Sequence, residues 1–163
     1  MNVTAFDIAQ RFTGVRELPG QLRNPQIMAM LQLDSKWPED DSVPWCSAFA
    51  NYVAWILRLP RSKNLAARSW LSVGMPILGK DCKVGYDVVI LKRRPEDPGP
   101  DNVTSSGHVG FYGAFDLYPP TQPGAHIYVL GGNQSDSVSI APFTTDLILG
   151  IRRLYEEGQG LSG

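Results

Sequence analysis

Apolar positions recur three and four residues apart in the first half of the chain, then collect into short Val-, Ile- and Tyr-rich runs after Gly74. That change of period predicts helices first and strands second. Thr4 and Asp7 form a capping pair for a helix reaching Phe12 and stopped by Gly14, with either Phe6, Ala9 and Phe12 or Ile8 and Phe12 as its apolar face. Asn24-Pro25 starts a second helix, Asn as cap and Pro at the first position, with Ile27, Met28 and Leu31 turned inward. "DSKWPEDDSVP" reads as an acidic loop. From Cys46 to Leu57 the residues Phe49, Val53, Ile56 and Leu57 mark the central helix, and "LPRSKN" closes it. A third amphipathic stretch, "LAARSWLSVG", uses Leu65, Trp70 and Leu71 and ends at Gly74.

Beyond Gly74, "YDVVILK", "HVGFYGAF", "HIYVLGG", "SVSIAP" and "LILGIRRLY" are separated by Gly, Pro, Asn and Asp. They predict strands of one antiparallel sheet. Helices followed by strands give an α+β fold with the helices packed on one face of the sheet. "RRPEDPGPDNVTSSG" is a long polar loop delivering the chain to His108, placed where a substrate-facing loop is useful. One domain is expected over 1–155, with a frayed tail over 156–163.

Composition narrows the function classes. A formal net charge of -1, with no basic run longer than Lys92-Arg93-Arg94, leaves no electrostatic footprint for nucleic acid or an anionic membrane. The N-terminus lacks the pattern of a secretory signal. The apolar stretch from Trp45 to Leu59 carries Ser47, Asn51 and Arg58 and is shorter than the roughly 20 residues of a membrane span. The two cysteines, Cys46 and Cys82, allow one bridge at most, and with the two histidines they show no metal-ligand spacing. No metal or organic cofactor is expected.

Cys46 stands at the predicted first turn of the central helix, after Pro44. There the helix dipole and unpaired N–H groups favour thiolate over thiol, and the same N–H groups can hold an oxyanion. Cys46 is therefore the candidate nucleophile. His108, at a strand start, is the candidate base, and Asn133, at the end of the next strand, the candidate orienter. Antiparallel pairing brings that start and that end to one edge of the sheet. Gly107 and the Gly131-Gly132 pair allow close approach there. Each residue also has a structural reading: Cys46 as a small core residue, His108 as a satisfied core histidine, Asn133 as a turn residue. His126 is the rival base, and Cys82, in "GKDCKVGYD", reads as structural or exposed. Asp34, Glu39, Asp40 and Asp41 could serve as glycosidase carboxylates but read better as a solvated face. Trp37, Trp45 and Trp70 could line a groove, with core packing the default for each.

These blocks carry a resemblance. "PWCSAFANYVAWIL", "NLAARSWLSVG", "DVVILKR", "GHVGFY", "VLGGNQSDSVSI" and "LGIRRL" resemble the CHAP-like branch of the NlpC/P60 superfamily, especially its phage and prophage members. The resemblance implies a papain-like α+β fold and hydrolysis of an amide in peptidoglycan. It maps the nucleophile onto Cys46, the base onto His108 and the polar orienter onto Asn133. Substrate-binding roles then fall to Trp45, Trp70 and Gln134. One departure is Gly85-Tyr86-Asp87-Val88, where relatives commonly read Pro-Gly-Asp-Val. Similarity to compact endolysins of phages of Gram-negative hosts implies a monomer that accumulates in the host cytoplasm and reaches the wall through a holin. An interbacterial toxin with the same chemistry, or a wall-binding or virion module without turnover, are the alternatives.

Overall fold

The computed structural model describes residues 3–36, 38–39 and 41–156. Trp37, Asp40 and the tail over 157–163, for which the sequence predicts a groove or core place, an acidic loop and fraying, lie outside them.

Local chemistry starts the first two helices as their caps predict. Helix α1, Ala5–Gln10, opens with a reciprocal box in which the Asp7 N–H donates to Thr4 Oγ1 at 3.2 Å and the Thr4 N–H to Asp7 Oδ2 at 2.8 Å. In α2, Pro25–Leu31, the Asn24 side chain accepts from the Gln26 N–H at 2.9 Å. Its inward face is Ile27, Met30 and Leu31, whereas Met28 is only half-buried. Helix α3, Cys46–Ile56, buries Phe49, Ala50, Val53 and Ala54. Leu57 continues that stripe; Ile56, expected inward, lies off it and is exposed.

The third predicted helix is a 3-10 turn, Ala67–Ser72. Its three-residue repeat buries Ala67 and Trp70, and Arg68 also turns inward, fully buried. Arg68 donates to four carbonyls of the long loop, those of Pro98, Gly99, Asn102 and Ser106, at 2.8–2.9 Å. That buried cation therefore holds the polar loop against the body just before His108. A polar seam runs beneath α3 as well: Ser47 Oγ donates to Asn64 O at 2.6 Å and accepts from Trp70 Nε1 at 2.9 Å.

The six strands form one antiparallel sheet in the order β1-β6-β2-β3-β4-β5. They are β1 Met75–Pro76, β2 Asp87–Leu91, β3 His108–Phe115, β4 His126–Gln134, β5 Ser137–Thr144 and β6 Ile148–Arg153. The molecule is thus α+β. Val88, Ile90, Val109, Phe111 and Leu130 meet the helices on one face. The other face is buried too, with Val89, Leu91, Tyr112, Ile127 and Val129 covered by Ile77, Cys82, Phe143 and Leu147. Burial on both sides explains why "VVIL", after the ion-paired Asp87, is a continuous apolar run rather than an alternating one. Among the described residues no helix is long and apolar enough to cross a membrane.

Candidate active site

Cys46 is the first residue of α3, and that helix has no side-chain cap. Its N-cap residue, Trp45, has no side-chain oxygen to accept from the first-turn N–H groups, which suits them to hold negative charge. Gly132 is what lets this helix start lie against the sheet. A Cβ there would come within 2.7 Å of both Phe49 Cβ and Trp45 Cζ3.

His108 opens β3 and its ring packs beside Phe143, centroids 5.3 Å apart. Its Nε2 lies 2.9 Å from Gln134 Oε1. The Gln134 amide nitrogen donates to Val129 O at 3.2 Å and to Ser139 O at 2.6 Å. Those two acceptors fix which end of the amide faces the ring. Oε1 can only accept, so His108 carries its proton on Nε2, and Nδ1 is the ring nitrogen left for the Cys46 sulfur. Gly131 keeps the pair clear of side chains, because a Cβ at this position would stand 2.7 Å from Gln134 Oε1 and 3.0 Å from His108 Nε2.

Two opposing influences act on the Cys46 thiol. Burial, with 2% of the residue exposed, pushes its pKa up. The His108 hydrogen bond and charge, the Val109 N–H and the Arg93 charge overcome this and bring it below the ordinary thiol value. Site chemistry thus favours a thiolate beside an oriented imidazole.

The expected orienter, Asn133, does not bond to His108; Gln134, expected on the substrate side, takes that place. The reason is a one-residue bulge. Gly131 pairs with Ser139 and Gln134 with Ser137, so three steps on β4 match two on β5. Asn133 absorbs the extra residue with φ of 57°. Regular alternation would have pointed Asn133 at the histidine; the bulge shifts the alternation by one and points Gln134 there. "GGN", permissive of left-handed backbone, was the available signal. Ser135 and Asp136, both at positive φ, then close the β4–β5 hairpin.

Trp45 and Trp70 do not line a groove. Both are fully buried, Trp45 donating from Nε1 to Glu17 Oε1 at 2.8 Å and Trp70 to Ser47. The rival base, His126, starts β4 at the opposite end from Gln134 and pairs through Nδ1 with Asp116 at 3.0 Å. Cys82 is a free, half-buried thiol, as Cys46 is a free buried one, so no bridge joins them. Of the acidic-loop residues, Asp34 pairs with Arg61 and Asp41 accepts from the Asn24 N–H at 3.0 Å. Glu39 is exposed.

An open cleft of about 360 Å³ adjoins the site, with His108, Gln134, Asn133, Lys92, Arg93 and Phe143 on its wall. Cys46, buried, is not among the residues on that wall. Among the described residues no cluster of His, Cys, Asp or Glu can hold a metal ion. No protein-family model matches the chain, and no curated protein matches it.

Proposed function

We propose that the protein is a cysteine peptidase or amidase of papain-like fold that cuts an amide bond in peptidoglycan. The observation that carries this reading is the chain from Cys46 at a helix start, through His108, to Gln134, which holds one imidazole tautomer. A thiolate there attacks a carbonyl, and the oxyanion meets the first-turn N–H groups of α3. His108 protonates the leaving amine and then activates the water that releases the acyl group. The peptidoglycan substrate rests on the likeness of "PWCSAF", "GHVGFY" and "GGNQSD" to the CHAP-like branch. By the same likeness the protein acts as a monomeric phage endolysin, stored in the host cytoplasm and admitted to the wall by a holin. A muramoyl–alanine amidase and a stem or cross-bridge endopeptidase both fit this site.

A second reading is favoured by one observation, the 2% exposure of Cys46. A sulfur so enclosed fits a wall-binding or virion module that keeps the fold without turnover. Purified Gram-negative sacculi incubated with the wild-type protein and with Cys46→Ala separate the two. The hydrolase reading expects soluble fragments, identified by mass spectrometry, from the wild type alone. Fragments from both proteins, or wall binding with no fragments from either, would sink it.

A further inference from the structure

We propose that the cleft beside His108 is a carboxylate subsite, so that the preferred peptide carries a free carboxylate close to the amide Cys46 attacks. This rests on the hydrolase reading for the amide and on the cleft itself for the carboxylate. Among the described residues the charged side chains on the cleft wall, apart from the histidine, are Lys92 and Arg93, and no Asp or Glu lines it. Other arginines nearby are engaged. Arg94 is paired with Glu96 and Asp97, and Arg68 gives its Nε and Nη1 to loop carbonyls, with its Nη2 buried away from the cleft wall and without a partner among the described residues. Arg93 differs. Its Nε donates to Gly107 O at 3.2 Å, which anchors the guanidinium next to His108. Its two terminal nitrogens meet no carboxylate or carbonyl among the described residues, leaving a planar fork of donors for a bidentate anion.

Two further features fit the same ligand. The Asn133 side chain, displaced from His108 by the bulge, lines this cleft without a hydrogen-bond partner among the described residues. It offers a neutral donor beside the cation. The Arg93 charge also reaches the Cys46 sulfur, so it offsets the repulsion a substrate carboxylate would otherwise impose on a thiolate.

The test compares two muropeptides that differ in one group: D-glutamate at the second stem position, with its free α-carboxylate, and the D-isoglutamine form, where a carboxamide replaces it. Binding is measured by calorimetry on Cys46→Ala and on Cys46→Ala with Arg93→Gln. The free acid is expected to bind roughly tenfold tighter or more, as a charge-assisted hydrogen bond warrants, and Arg93→Gln should collapse that ratio toward one. Equal affinities, no binding of either peptide, or a ratio that survives Arg93→Gln would each overturn the subsite. The same ratio is read as kcat/KM on the wild-type and Arg93→Gln proteins, so that any change in the thiolate cancels between the two substrates. If the acid binds preferentially yet the wild type cuts neither peptide, the subsite stands and the hydrolase reading falls.

Discussion

Cys46 and Cys82 are the same side chain in opposite electrostatic settings. Cys46 is the more deeply enclosed, and burial pushes its pKa up, yet it is lowered overall because the His108 ring, the Val109 N–H and the Arg93 charge all favour the anion. Cys82 is only half-buried, yet its pKa is pushed up to about 12 by desolvation and then by the Asp87 and Asp81 carboxylates, against the weaker pull of Arg153. Burial alone would have ranked them the other way. What decides is which charges and N–H groups the fold aims at each sulfur.

The sharpest way to break the comparison is to delete each thiol. Cys46→Ala should reduce fragment release from sacculi to background, whereas Cys82→Ala should retain it; equal loss in both would remove the distinction. Next in size is the support of the histidine. Gln134→Leu frees His108 to adopt either tautomer and should lower kcat roughly a hundredfold, and Asn133→Ala should lower it far less. Gln134→Glu keeps an acceptor and should recover part of the loss. Melting temperatures run alongside separate this from unfolding, since Gln134 also ties Val129 and Ser139.

Asp87 offers a smaller effect of another kind. It takes two hydrogen bonds from Arg153, at 2.8 and 2.9 Å, and one from the Lys83 N–H at 2.7 Å. Removing it in Asp87→Ala leaves the Arg153 guanidinium with only the Asp81 carbonyl at 2.7 Å and Glu156 at 3.8 Å, and should cost about 3 kcal/mol in denaturant unfolding. Asp87→Asn, milder, should also lower the Cys82 pKa while leaving the Cys46 alkylation profile in place.

The smallest effect is a displacement in pH. Site-resolved iodoacetamide labelling should give Cys46 a half-maximal rate at lower pH than the same cysteine in the unfolded chain, with Cys82 silent until strongly alkaline pH. Linkage gives the two opposite signs. Ionised Cys46 stabilises the fold above the unfolded thiol pKa, and that contribution fades as pH falls through the lower folded value. Cys82 stabilises as the neutral thiol below the unfolded value, and its contribution is lost as pH rises toward about 12. A Cys46 midpoint at or above that of an unfolded thiol would break the comparison.

Most of the architecture is written locally. Thr4–Asp7 and Asn24–Pro25 announce their helices because capping needs only residues within one turn. The five longer strands follow from β-branched runs between turn residues, and Cys46 and His108 stand out by their places at element starts. Long-range contacts were not readable in this way. Nothing near Arg68 marks it as the buried clamp on a loop some thirty residues downstream, a distance that only folding removes. Trp45 and Trp70 have the composition of groove residues and the environment of core residues, and only packing separates those.

The sequence by itself determined the element order, the α+β class and the meeting of the start of β3 with the end of β4, since capping, period and antiparallel pairing are set within or between neighbouring segments. Only the tertiary structure decided which amide orients the histidine and which faces the cleft. A one-residue bulge at Asn133 exchanges the two roles, because side-chain direction along a strand has a period of two and a single extra residue inverts it.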